Sequence, residues 1–207
     1  MTKHIAAWFV ILLTTTLCNA QTREHKRIVT GFSGGVMVHT GWTAGHQPVG
    51  SGFRARGMVY GIGGAARLNL GRIFRVGFEG YVSSQPQGRG RGHDPGSVLR
   101  TGWGGLLADA HLRFGRVAPY VGVTLVGGSH STLLFRGEDD GRQAGVALLA
   151  RGPFLGLDPF VGCDVHLTNF LTLTFKVDCL QGWGIGKSSG TRLPTGPRLY
   201  IGVMFSR

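Results

Sequence analysis

The sequence predicts an all-β fold, an eight-stranded antiparallel up-and-down transmembrane β-barrel. Three observations predict it. Strand-length stretches alternate apolar and polar residues with a period of two. Tight turns near residues 70–72, 114–116 and 168–170 alternate with long polar, Gly-rich connections near 43–55, 83–97, 129–153 and 182–196. No long apolar helical run follows Leu17. Three short turns and four long loops, with both barrel ends on the short-turn side, match a membrane barrel with short inner turns and long outer loops.

The N-terminus comes first because export segments must be set aside before any fold argument. Lys3 and His4 form a small basic region, and residues 5–17 are apolar but for Thr14, Thr15 and Thr16. Cys18 and Ala20 put small residues at the −3 and −1 positions of a cleavage site. The expected organisation is a signal peptide at 1–20, a periplasmic tail at 21–27 and a barrel at 28–207. A membrane-spanning helix needs about 20 apolar residues, more than this run supplies. A lipid anchor on Cys18 is the competing reading, weakened by Leu17, since such sites usually carry a small residue there.

The strands are justified in order. The first two, near 30–42 and 57–70, are Gly-rich and alternate less cleanly. In the third, near 73–83, Phe74, Val76, Phe78 and Val82 alternate with Arg75, Gly77, Glu79 and Tyr81. In the fourth, near 98–114, Leu106, Ala108, Ala110, Leu112 and Phe114 alternate with Leu107, Asp109, His111 and Arg113. The fifth and sixth are placed at 117–130 and 154–168. Cys163, Val165 and Leu167 oppose Asp164, His166 and Thr168 in the sixth. The seventh, near 171–182, sets Leu171, Leu173, Phe175, Val177 and Cys179 against Thr172, Thr174, Lys176 and Asp178. The eighth, near 197–206, sets Leu199, Ile201, Val203 and Phe205 against Arg198, Tyr200, Gly202 and Met204. Full charges in mid-strand mark the polar face as a lumen and the apolar face as the lipid side. Pro119 and Pro159 are expected at strand starts or bulges, where a missing N–H costs least.

Composition agrees. Gly accounts for 37 of 207 residues without a collagen period, and the net charge of +12 becomes +11 without Lys3. Mean hydropathy is near zero, as expected when only alternate residues face lipid.

With these strands and the ending Thr195-Gly-Pro-Arg-Leu-Tyr-Ile-Gly-Val-Met-Phe205, the chain resembles the small bacterial outer-membrane barrels, the architectural group of the OmpA transmembrane domain, OmpX and PagL. The resemblance implies an outer-membrane location, contact with outer-membrane lipids and lipopolysaccharide, and assembly by the barrel-insertion machinery. Such barrels commonly end on an aromatic residue; here Ser206 and Arg207 follow Phe205, shifting that signal by two positions.

The expected lumen gathers Arg67, Arg75, Arg113 and Lys176 against Glu79, Asp109, Asp158, Asp164 and Asp178, with His39, His111 and His166 nearby. In so narrow a barrel the favoured reading is a plug of paired charges rather than a catalytic or proton-relay group. The histidines lack ligand spacing, so no metal or other cofactor is expected. No enzyme is expected. A hydrolase acting on lipid A would need His and Ser on one strand face. Ser129-His130-Ser131 instead puts both serines on the face opposite His130.

Two motif look-alikes are set aside. Residues 184–188, Gly-Ile-Gly-Lys-Ser, lack the first Gly of a phosphate loop, where Gln181 stands, and no helix follows. Residues 88–92, Gly-Arg-Gly-Arg-Gly, resemble nucleic-acid segments, but in an exported chain Arg89 and Arg91 form a basic loop tip suited to phosphate-rich lipopolysaccharide, with no nucleic-acid partner. Glu138, Asp139 and Asp140 fit a solvated turn better than a calcium site. Leu133, Leu134, Phe135, Leu148 and Leu149 flank that turn and extend the fifth and sixth strands beyond the membrane, a candidate surface for an external partner.

A structural or surface-interaction protein is therefore the leading functional class, and a narrow solute pore the alternative. Cys163 and Cys179 are expected to face lipid unbridged. A turn at 169–170 sets Cys163 opposite about position 176, roughly three residues from Cys179.

Overall fold

The computed structural model describes residues 29–46, 54–87, 97–136, 145–186 and 192–207. The expected signal peptide, the tail at 21–27 and the tip carrying Arg89 and Arg91 lie outside these residues. Nine strand segments lie among the described residues: β1 Val29–His46, β2 Arg54–Leu70, β3 Phe74–Gln87, β4 Ser97–His111, β5 Val117–Arg136, β6 Gly145–His166, β7 Leu171–Asp178, β8 Gln181–Gly184 and β9 Arg198–Ser206. All pairings are antiparallel, and β5 pairing with β6 closes the sheet into a ring. β7 and β8 are two halves of one wall strand, so the ring has eight strands.

The register shows how the ring closes. Gly31 pairs with Asn69, which pairs with Arg75. The row continues through Asp109, Gly122, Phe160, Asp178 and Arg198. It returns to β1 at Gly41, ten residues beyond its start. An eight-strand ring with a stagger of ten tilts its strands by about 40°, within the usual range for barrels. The tilt follows from the ~3.3 Å rise per residue and ~4.8 Å strand spacing.

Alternation sorts the two faces as the sequence requires. Outward residues include Val36, Phe78 at 65% exposure, Leu106, Leu125, Val161 and Ile201. Phe32, Phe74, Phe114, Phe170 and Phe205 ring the short-turn end of this apolar band, and Trp42, Tyr60 and Trp183 ring the loop end. Aromatic girdles at both edges of an apolar band are the lipid-facing surface of a membrane barrel. Both chain ends lie at the short-turn end, where Phe32 and Arg207 exchange backbone hydrogen bonds of 3.0 and 2.9 Å. The turns there need positive φ at Gly71 and Gly115, which glycine adopts without steric cost.

Two expectations are corrected. Pro119 is the third residue of β5, near its start as anticipated, but Pro159 sits well inside β6. It faces the gap between β7 and β8. Cys179 N–H donates to Pro159 O at 3.2 Å, and the reciprocal bond is impossible because proline has no N–H. The ladder lapses there while the register on either side is unchanged. The hairpin register also differs by one: Cys163 pairs with Phe175, not position 176. The sixth and seventh strands thus leave Cys179 further from Cys163 than anticipated, and both cysteines are free.

The strands overrun the lipid band on the loop side. β5 and β6 remain paired to Arg136 and Gly145, with a bulge after Thr132 where Leu149 has no partner. The backbone of Leu133, Leu134, Phe135 and Leu148 is in this extension; among the five candidate surface residues only the Leu133 side chain is described, and it is half-buried.

Candidate functional site

The lumen holds two layers of charge. The layer nearer the short-turn end is built from β2, β3, β4 and β6. Arg75 and Asp109 are direct cross-strand partners, joined Nε to Oδ1 at 2.6 Å. Arg75 Nη1 also donates to Asp164 Oδ2 at 2.5 Å. Arg67 approaches the same two carboxylates at 3.9 and 3.5 Å. The Tyr120 ring lies 4.9 and 4.8 Å from the two guanidinium carbons, a cation–π contact with each. Its hydroxyl reaches Thr174 Oγ1 at 3.1 Å, and Thr174 donates to Asp164. Two cations meet two anions.

The second layer crosses mid-barrel. Lys176 Nζ lies 3.0 and 2.9 Å from the Glu79 carboxylate oxygens, 3.6 Å from Asp158 and 3.5 Å from Asp178. Arg198, cross-strand partner of Asp178, binds it through Nε at 2.7 Å and reaches Asp158 through Nη2 at 3.1 Å. Thr124 donates to Glu79. The rings of Tyr200, Phe160, Tyr81 and Trp103 surround Lys176 Nζ at 4.7, 4.8, 5.3 and 5.9 Å. Lys176, Asp158 and Tyr200 are fully buried. Burying such ions costs several kcal/mol each unless opposing charges and hydrogen bonds compensate, and here every ion has an opposing partner.

Large and small residues interlock around these layers. Gly162 lies beneath the Tyr120 ring, where a Cβ would fall 2.3 Å from Cζ. Gly61 lies beneath His39, whose Nε2 bonds Ser83 Oγ at 2.9 Å. Above the mid-barrel layer is a recess of about 30 Å3, lined by Thr43, Ser83, Gln85, Thr101, Leu180 and Arg198. That is room for about two waters.

Arg67, Arg75, Glu79, Asp109, Asp158, Asp164, Lys176 and Asp178 are therefore brought together in the lumen. Arg113 is not. β4 ends at His111, and Arg113 lies exposed in the following turn, its Nε donating to Gly115 O at 3.1 Å. His111 and His166 are half-buried, and His166 Nδ1 bonds Thr172 Oγ1 at 2.8 Å. Sequence reasoning missed Arg198 as a network member, although it heads the polar face of the last strand. His130 points into the lumen while Ser129 and Ser131 lie on the other face of β5. No metal-ligating cluster occurs among the described residues.

No protein-family model matches the chain, and no curated protein matches it. Solved structures do. Neisserial surface protein A (NspA) superposes with a TM-score of 0.50 and 16% identity, over 84% of this chain and 96% of its own. The chain has the fold of an outer-membrane β-barrel. Ail from Yersinia pestis aligns over 86% of this chain and 99% of its own with a TM-score of 0.49 and 9% identity. OprG from Pseudomonas aeruginosa aligns over 87% and 97%, with a TM-score of 0.48 and 14% identity. At such identities the likeness is one of fold, and the outer-membrane barrel's function is argued from its own residues.

Proposed function

We propose that this outer-membrane barrel is a closed, non-catalytic structural or surface-interaction protein whose loop end works on lipopolysaccharide or an external partner. The observation that supports this reading is the lumen. Two stacked layers of paired ions, packed with Tyr120, Tyr200, Phe160 and Trp103, occupy the cross-section from short-turn end to mid-barrel. A solute path would have to break Lys176 or Arg198 away from buried carboxylates, at about 3–5 kcal/mol for each pair broken. With the interior filled, the surfaces left for work are the lipid-facing wall and the loop end, where β5 and β6 project beyond the band.

The test is conductance in planar bilayers. The purified wild type should give no sustained single-channel currents, while Lys176→Ala with Arg198→Ala should give brief, noisy openings. Large, stable currents from the wild type would favour the narrow-pore reading. The working surface is tested by replacing 132–149 with a short Gly/Ser turn. The trimmed barrel should assemble yet lose binding of an external protein partner; unchanged binding would remove the β5–β6 extension from consideration.

A further inference from the structure

Charge is segregated across the wall of this barrel. Among the residues whose side chains are described, every acid faces the lumen: Glu79, Asp109, Asp158, Asp164 and Asp178. Every exposed charge is an arginine. Arg56, Arg100, Arg151 and Arg192 are exposed near the loop-side aromatic girdle. Among the described residues the exposed charge of this rim is cationic, which suits an anionic surface.

On one side, the arginines overlook a groove. Thr40 and Trp42 of β1, Met58 of β2, Val177 of β7, and Pro197 and Leu199 around the start of β9 line a depression of about 400 Å3 on the outer wall. Its origin is local. The ladder between the seventh wall strand and β9 stops at Asp178 and Arg198. The next residues on the β9 side include Pro194 and Pro197, which offer no N–H to continue it. Through Pro197 and Thr195 the chain bonds to β1, and it rejoins the seventh wall strand only at Leu193, whose N–H donates to Gly182 O at 3.0 Å, so the ladder lapses in between. Arg56 stands on the outward face of β2 two residues beyond Met58. Arg192 stands in the segment leading into β9 and bridges to Trp183. By register, Arg56 on β2 and Arg192 on the segment before β9 both stand toward the loop end of the apolar groove, on the two sides of β1.

We propose that this groove is the seat of one lipid A moiety of lipopolysaccharide, with an acyl chain lying between Trp42 and Leu199 and its phosphates held by Arg56 and Arg192. Lipid is what meets an apolar depression in the lipid-facing band, and the depression lies in the half of the wall on the long-loop side, which faces the outer leaflet. The lipid of that leaflet is a phosphorylated, multiply acylated glycolipid, and guanidinium groups bind phosphate with paired, charge-assisted hydrogen bonds. This deepens the surface-interaction reading and rests on it, but moves the contact from the loop tips to the wall.

The test uses the purified full-length barrel in detergent, titrated with bis-phosphorylated lipid A or with phosphatidylglycerol, with bound lipids counted by native mass spectrometry. One tightly held lipid A is expected. Arg56→Glu with Arg192→Glu should weaken it at least tenfold, and Thr40→Trp, which fills the groove, should do the same. Arg100→Glu with Arg151→Glu, on β4 and β6, should leave it unchanged, as should replacement of 132–149. Equal retention of phosphatidylglycerol, equal loss from both arginine pairs, or no retained lipid A would overturn the seat. Loss only on replacing 132–149 would assign the lipid to the extension instead. The conductance outcome is independent of all these. Each variant is first checked for heat-dependent gel mobility. Should Thr40→Trp fail to assemble, the two arginine pairs still decide between seat and diffuse rim.

Discussion

Lys176 carries the mid-barrel layer. It is fully buried and faces Glu79, Asp158 and Asp178. Lys176→Glu would place a fourth carboxylate among these three with only Arg198 to oppose them. A loss of at least about 3–5 kcal/mol is expected, read as a lower urea midpoint in refolding into detergent or lipid. Gly162→Ala is expected to cost about 1–3 kcal/mol by overpacking, because the new Cβ would meet both the Tyr120 ring and Phe175 O at under 2.5 Å; wild-type stability in the same assay would show that the lumen gives way. Arg113 and Arg198 show what was legible at this scale. Each stands on the polar face of an alternating stretch, so alternation alone cannot separate them. What separates them is where the strand ends, since β4 stops two residues short of Arg113 while β9 starts at Arg198. The aromatic packing around Lys176 was not legible either. Tyr, Trp and Phe fit a lumen or a lipid face equally well, and only register assigns Trp103 inward and Trp42 outward.

At the scale of elements, the short turns and the alternation in β3, β4, β7 and β9 were plain in the sequence because lipid on one side and ions on the other permit no other pattern. The loop-side ends were less plain. β6 starts at Gly145, ahead of the expected 154, because beyond the lipid band nothing forces alternate residues to be apolar. Pro159 shows the opposite case, a residue that violates strand rules yet sits inside β6 by giving up one bond and splitting its neighbour into β7 and β8. The register it leaves intact predicts the thiol state. Cys163 pairs with Phe175, four residues before Cys179, so the sulfurs are separated by far more than the ~7 Å Cα limit for a bridge. Mass spectrometry of the unreduced protein should find two free thiols; a linked pair would mean that β6 and β7 are out of register.

The whole molecule is held by closure as much as by any contact. The ring closes along one row: the register leaves Gly31 and returns at Gly41 after crossing every wall strand, so along that row no wall strand can peel away without breaking two ladders. The paired ions lie inside that ring, where detergent headgroups do not reach, and the apolar band outside is the surface detergent tails solvate. Unfolding must therefore breach closure and expose both ion layers together. Unboiled protein in denaturing detergent should stay folded and migrate apart from the boiled sample, with a circular dichroism spectrum of strand and no helix. A single mobility at all temperatures, or recovery with soluble periplasmic proteins, would contradict the barrel itself. Because the ion layers stabilise the ring from within, Lys176→Glu should shift the temperature at which the two mobilities merge downward. Arg100→Glu, on the outer rim and bound to no lumenal carboxylate, should leave that temperature unchanged; equal shifts for both would mean that lumen and rim contribute alike to closure.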